Sequence, residues 1–225
     1  MKAMILAAGL GERMRPLTDH TPKPLLEAGG RTLIDYHLEG LAAAGFREVI
    51  INVSHLAEQI IEYCAGGERW GLDIAYSRED APLETAGGLV QALPLLGDAP
   101  FLVVNGDIWT DFPFSTLRDY RPGDYELAHL VFVDNPPQHP LGDFLLDVDG
   151  RVRERQGEQQ GVTYAGLGVY TPALLAGIAP GKLALRPVLD AAIRSSRIGG
   201  RHYRGAWEDV GTPRRLAELD QRLGR

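Results

Sequence analysis

The chain has 225 residues, of which 44% are hydrophobic and 24% charged, and a formal net charge of -7. These proportions describe an ordinary globular protein long enough to bury a sizeable core, and they exclude the basic surface needed for non-specific binding to nucleic acid or anionic membranes. The single cysteine, Cys64, excludes an intramolecular disulfide and a thiolate-rich metal site. No run reaches transmembrane length, and the apolar run after Lys2 is too short for a secretory signal, so the chain reads as cytoplasmic.

In chain order, the apolar residues 3–8 read as a buried strand opening into Gly9-Leu10-Gly11-Glu12-Arg13-Met14-Arg15-Pro16-Leu17-Thr18, closed by Thr21-Pro22-Lys23-Pro24-Leu25. Gly9 and Gly11 carry no Cβ, so backbone N–H groups there can approach an anion. Arg13, Arg15 and Lys23 add three positive charges, the outline of a polyphosphate site. A dinucleotide fingerprint would need a third glycine where Met14 stands, and a P-loop would need Gly-Lys followed by Ser or Thr. Neither fits, and the two glycines alone fit an ordinary loop equally well. The specificity lies in the full run with its prolines and cations.

Leu33, Ile34, His37, Leu38 and Leu41 recur at helical spacing over residues 32–44, and Gly45 supplies the stop. Residues 48–53 read as a strand, 56–64 as a helix and 72–76 as a strand, the βαβ rhythm of a parallel sheet. Cys64 reads as a small hydrophobe on its helix. The segment Leu83-Glu84-Thr85-Ala86-Gly87-Gly88 begins a helix and offers its free N–H groups. Residues 101–104 form a strand that runs into Asn105-Gly106-Asp107. Carboxyl ends of strands hold the ligand in open α/β sheets, which suits Asp107 to a metal.

From residue 125 strands prevail. Residues 127–133 and 163–170 read as strands, Asp149-Gly150 signals a hairpin between 142–147 and 151–154, and 186–196 reads as a helix. Trp207-Glu208-Asp209-Val210-Gly211-Thr212-Pro213 then leads into an amphipathic helix ending near residue 223. The expected fold is α/β, a Rossmann-like, mostly parallel mixed sheet flanked by helices, with a β-rich second half.

The opening run, Asp107 and the late Asp-Val-Gly-Thr-Pro together resemble the sugar-1-phosphate nucleotidylyltransferases, also called nucleoside-diphosphate-sugar pyrophosphorylases. The resemblance covers nearly the whole chain and implies the nucleotide-diphospho-sugar transferase fold. It implies one domain over residues 1–225, with a nucleotide-binding half, 1–124, and a sugar-binding half, 125–225. Nothing matches the β-helical acyltransferase domain of longer relatives, so the expectation is a minimal, monofunctional form. Asn105-Gly106-Asp107-Ile108-Trp109 and Pro140-Leu141-Gly142-Asp143-Phe144 are most similar to the subgroup acting on N-acetylmuramic acid 1-phosphate and UTP in bacterial cell-wall recycling.

In such a reaction a sugar-phosphate oxygen, already anionic, attacks the α-phosphorus of the nucleotide and expels pyrophosphate. The protein must therefore position the reactants and neutralise negative charge. Arg13 suits the leaving pyrophosphate and Lys23 the reacting phosphates, with Arg15 either assisting or merely solvated. Mg²⁺ would be held by Asp107 and Asp209, with Glu208 a neighbour and Asp111 a solvated loop residue. The resemblance implies nucleotide contacts from Ala8, Gly9, Gly11, Glu12, Arg13, Lys23, Glu84, Thr85 and Gly87, and sugar-side contacts from Asn105, Gly142, Glu154 and Ala165. Arg155 replaces the family's usual Lys, and Ala165 stands where many members have Asn. The lactyl carboxylate of the sugar would welcome a cation from Arg153, Arg155 or Arg204.

The partners expected are UTP or another nucleoside triphosphate and a sugar 1-phosphate, with no nucleic acid, no membrane and a homodimer allowed. The same chemistry admits mannose-1-phosphate guanylyltransferase, glucose-1-phosphate uridylyl- or thymidylyltransferase and phosphocholine cytidylyltransferase. A non-catalytic nucleotide-sugar sensor, the reading from another class, predicts the loss of a catalytic position, whereas Arg13, Lys23, Asp107 and Asp209 are all present. An NAD-linked oxidoreductase would need an acid after the second strand, where Asn52-Val53-Ser54 stands.

Overall fold

The computed structural model describes residues 1–224. Its elements, in chain order, are β1 (Ala3–Leu6), the short pair β2 (Glu27–Ala28) and β3 (Arg31–Thr32), α1 (Leu33–Ala43), β4 (Glu48–Val53), α2 (Ala57–Cys64), β5 (Asp73–Arg78), α3 (Glu84–Leu96), β6 (Phe101–Asn105), β7 (Ile108–Thr110), α4 (Ser115–Arg118), β8 (Ala128–Val133), β9 (Phe144–Leu146), β10 (Val152–Glu154), β11 (Thr163–Tyr170), α5 (Leu185–Arg194), β12 (Ile198–His202), β13 (Trp207–Asp209) and α6 (Pro213–Leu223). Single 3-10 turns punctuate the loop after β1.

The central sheet has seven strands in the order β12-β8-β11-β6-β1-β4-β5. β11 is antiparallel to both of its neighbours, while the remaining pairs are parallel. The sheet is thus the mostly parallel mixed one expected, and it runs without a break from the first half of the chain into the second.

Side chains alternate across the strands as a period of two requires. Ala3, Ile5, Leu102 and Val104 face one layer with Ile34 and Leu38 of α1 and Ile60 of α2, while Met4, Phe101 and Val103 face the other with Leu89 of α3 and Leu189 of α5. Cys64 is buried in the first layer, a packing residue as read. A third, smaller cluster joins Met14, Leu33, Val210, Leu216 and Leu219 and ties α6 to the loop after β1.

Local chemistry sets the ends of the helices. Thr32 caps α1 by accepting from Asp35 N while Asp35 Oδ2 accepts from Thr32 N, a reciprocal capping box. Thr212 caps α6 one way, its hydroxyl accepting from Arg215 N, and Pro213 occupies the first turn. The Asp149-Gly150 turn forms, with Gly150 at φ 80° joining β9 to β10. No helix among the described residues is long and apolar enough to cross a membrane.

β12 was not expected, because Gly199-Gly200 carries little strand propensity. The structure supplies the reason for those glycines: a Cβ on Gly200 would stand 2.5 Å from the Phe132 ring, and one on Gly199 would collide with the Glu126 carboxylate. β7 and β13, three residues each, also escape a reading based on apolar periodicity.

Candidate functional site

The loop after β1 and the carboxyl ends of β4, β5 and β6 enclose an open cleft of about 560 Å³. Ala8, Gly9, Gly11, Glu12, Arg13, Lys23, Glu84, Thr85, Asn105 and Asp107 all line it. Gly11 adopts φ 66°, and a Cβ there would press on Thr18, whose hydroxyl donates to the Gly11 carbonyl. Gly9 meets nothing within 4 Å of such a Cβ, leaving the loop open on that side.

Lys23 is 9% exposed, and its Nζ donates to Asp107 Oδ2 at 2.8 Å. Asp107 follows β6, and the Val210 N–H donates to its carbonyl at 2.9 Å. The antiparallel β7–β13 pairing sets Asp209 opposite Ile108, which brings the second carboxylate to the neighbourhood of the first across about a hundred residues of chain. Asp209 Oδ2 accepts from Arg215 at 2.7 Å, and Arg215 is held on the first turn of α6. Gly211 marks where these groups converge. A Cβ there would lie 2.5 Å from Arg215, 2.9 Å from Asp209 Oδ1 and 3.1 Å from Arg13. Arg13, Lys23 and Asp107 thus line one end of the cleft together with Gly211, while the second expected carboxylate, Asp209, and its partner Arg215 stand behind Gly211 and do not line it.

The floor of the cleft is polar and buried. Asn52 accepts from the Ala7 N–H at 2.8 Å and donates to Glu79 Oε1 at 2.7 Å, while Glu79 Oε2 accepts from Leu83 N at 2.9 Å. Among the described residues Glu79 has no cationic partner, and these two donors satisfy a carboxylate that is only 5% exposed. Gly88 makes the room, since a Cβ on it would stand 2.7 Å from Glu79 Oε1. Behind Asp107, His37 of α1 is fully buried, and its Nε2 has no hydrogen-bond partner among the described residues. Burial pushes the imidazole down to about 4 against the opposing pull of Asp107, which leaves it neutral at physiological pH.

Not every residue expected at the site is there. Arg15 pairs with Asp19 outside the cleft. Gly87 does not line the cleft but packs against the carbonyl of Gly181. Glu154 faces α5, pairs with Arg194 at 2.7 Å and lines a separate groove, because the β9–β10 register directs it away from the nucleotide end. Gly142, at φ 69°, is required by close packing on Asn135 and Val162 and is likewise outside the cleft. The Ala165 methyl is buried in the core, and its carbonyl accepts from Trp207 Nε1. Its neighbour Gly166 touches the site instead, for a Cβ there would meet the Asn105 side chain at 2.8 Å. Asp111 is not merely solvated: it accepts from Tyr203 and from Ala206 N and pins the turn before β13. Glu208 points to Arg222 on the far side of its strand from Asp209.

Asn52, Glu79 and Lys182 also line the cleft and Arg215 holds Asp209, and the sequence motifs pointed to none of the four. Asn52 and Glu79 carried the signal that marked Asp107, a polar residue where an apolar strand ends. Arg215 lies six residues after Asp209 and meets it only because β13 turns directly into α6.

Comparison with known proteins places this geometry. The nucleotidyl transferase family matches residues 2–224. The chain is 50% identical to N-acetylmuramate alpha-1-phosphate uridylyltransferase of Neisseria meningitidis, covering 100% of this chain and 99% of that one. It is 34% identical to the enzyme of the same name from Caulobacter vibrioides over 98% of this chain and 96% of that one. Among solved structures, a Bacillus anthracis protein provisionally named a glucose-1-phosphate thymidylyltransferase superposes with a TM-score of 0.85 at 19% identity, covering 100% of this chain and 95% of that one, a likeness of fold.

Proposed function

The chain belongs to the nucleotidyl transferase family, and from that membership we propose that it joins N-acetylmuramate α-1-phosphate and UTP into UDP-N-acetylmuramate and pyrophosphate. The observation that carries this reading is the 50% identity to a uridylyltransferase of that specificity over the entire length of both chains. The enzyme is a nucleotidyltransferase; UTP as its donor, Mg²⁺ as its metal, a cytoplasmic role in peptidoglycan recycling and a homodimer belong to the proposal.

The cleft supports the chemistry residue by residue. In the proposed reaction an oxygen of the sugar phosphate forms a bond to the α-phosphorus as the bond from that phosphorus to the bridging oxygen of pyrophosphate breaks. No general base is needed, since the nucleophile is already an anion. Lys23, nearly buried and beside Asp107, supplies a positive charge that water screens little. Arg13 offers a planar, permanently charged fork for the departing pyrophosphate.

Asp107 and Asp209 are hard oxygen donors on adjacent segments, and among the described residues no group of three or more His, Cys, Asp or Glu side chains is placed to hold a metal ion. Two carboxylates with the remaining positions left to water and phosphate is a donor set that fits Mg²⁺ rather than zinc. When bound, such a cation would offset charge on the triphosphate. Arg215 and Lys23 orient the two carboxylates.

The test is pyrophosphate release from UTP and N-acetylmuramate 1-phosphate with Mg²⁺, run beside GTP, dTTP and CTP and beside mannose and glucose 1-phosphates. Stoichiometric pyrophosphate and UDP-sugar with UTP and the muramate acceptor are expected. Faster turnover of another pair would reassign the substrates, and ligand binding without pyrophosphate release would show a sensor.

A further inference from the structure

Three of the side chains lining the cleft are cations: Arg13, Lys23 and Lys182. Arg13 and Lys23 belong to the loop after β1 and stand with the carboxylates. Lys182 lies in the segment between β11 and α5, beside Glu84, and among the described residues it is the one cleft cation from the second half of the chain.

Its placement is built. Gly87 N donates to Leu183 O at 3.1 Å, and Leu183 N donates to Leu83 O at 2.9 Å, which clasps residues 181–183 onto the first turn of α3. The clasp depends on Gly87, for a Cβ there would lie 2.2 Å from the Gly181 carbonyl oxygen. Lys182 is thereby set beside Glu84, with Nζ 3.6 Å from Glu84 Oε1. The pair is loose and exposed, its side chains 68% and 44% accessible, and such pairs contribute little. A ligand anion can displace Glu84 at small cost. Glu84 itself holds φ 60°, a conformation that disfavours any residue with a Cβ, so its carboxylate is presented here against backbone preference.

The acceptor proposed above carries two anionic groups, the phosphate that reacts and the carboxylate of its lactyl ether. Arg13 and Lys23, on the loop after β1, are assigned above to the reacting phosphates. Two of the arginines that sequence reading nominated for the carboxylate are already engaged outside the cleft: Arg153 bonds Asp147, and Arg155 bonds the carbonyls of Gly157 and Gln159. Arg204 does not line the cleft either.

We propose that Lys182 pairs with the carboxylate of the acceptor sugar and selects the carboxylated sugar over its counterpart lacking the lactyl ether. The proposal rests on the acceptor reading above. Its test compares N-acetylmuramate 1-phosphate with N-acetylglucosamine 1-phosphate, as substrates or, where the latter is not turned over, by its Ki, in wild type, Lys182→Met and Lys182→Arg.

The expected result is a fall of about tenfold or more in kcat/KM for the muramate acceptor in Lys182→Met, carried by KM, with less than about threefold change for the glucosamine acceptor. Lys182→Arg keeps the wild-type preference. An equal loss on both acceptors would place Lys182 on a phosphate or in the scaffold and overturn the proposal, as would unchanged discrimination. Wild-type enzyme that uses neither acceptor overturns the acceptor reading itself, so the two failures are distinguishable.

Discussion

Lys23 Nζ lies 2.8 Å from Asp107 Oδ2, joining the loop after β1 to the loop after β6 across 84 residues of chain. Lys23 is 9% exposed, so its charge acts where water screens it weakly. Lys23→Met should lower kcat by about 10²-fold or more, the scale seen when a group stabilising transition-state charge is removed. Asp107→Asn should do at least as much and should also weaken dependence on Mg²⁺. Both are read by pyrophosphate release, with thermal unfolding as a check on the fold, and undiminished activity in either variant would remove that residue from the site.

Arg215 touches Asp209 at 2.7 Å but does not line the cleft, so its effect passes through the carboxylate it orients. Partners of a ligating carboxylate contribute roughly 10–100-fold to metal affinity. Arg215→Met should therefore raise the Mg²⁺ concentration for half-maximal rate about tenfold or more, while kcat at saturating metal falls far less. A metal titration that superposes on the wild-type curve would refute this role.

Gly87→Ala inserts a methyl 2.2 Å from the Gly181 carbonyl oxygen and must displace the clasp over α3. Overpacking of this kind costs about 1–3 kcal/mol, measurable by urea denaturation. Gly9→Ala is the matched control: no atom stands within 4 Å of the added methyl, and stability should change by less than about 0.5 kcal/mol.

His37 supplies a dependence of stability on pH. Burial lowers its folded value from 6.5 to about 4, so between those limits the unfolded chain takes up a proton that the folded chain does not. The folded state is penalised as pH falls through 6.5, and the penalty levels off below about 4, at a total of about 3 kcal/mol. His37→Leu should shrink the loss of Tm between pH 7.5 and pH 5, whatever its effect on Tm at neutrality. An unchanged difference would show that other groups carry the acid sensitivity.

Much of the scaffold could be read in advance because its signals are local. β4, β11 and α6 emerged with nearly their observed limits from runs of apolar residues, a period of 3.6, Thr212 and Pro213. β12 was missed because Gly199-Gly200 answers to the Phe132 ring and the Glu126 carboxylate, neighbours distant in sequence. On the sugar side the residues expected from resemblance separated. Glu154 turned to Arg194 and Ala165 into the core, because the registers of β10 and β11, with the irregularity between Tyr164 and Leu167, decide which face each residue occupies.

The sequence by itself determined that this is an α/β protein with a glycine- and cation-bearing loop after its first strand, and it nominated Arg13, Lys23, Asp107 and Asp209 for the proposed chemistry. The fold, the loop and the first three residues depend on residue type and short-range spacing, and Asp209 on the resemblance of its Asp-Val-Gly-Thr-Pro motif to the family's. Only the tertiary structure decided that Asp209 meets Arg215 and approaches Arg13 at Gly211, that Asn52 and Glu79 form a buried floor, and that Lys182 stands over the cleft. Those relationships arise from strand pairing and helix docking between segments far apart in the chain. Contacts of that kind depend on the register and direction of whole elements, which no local pattern encodes.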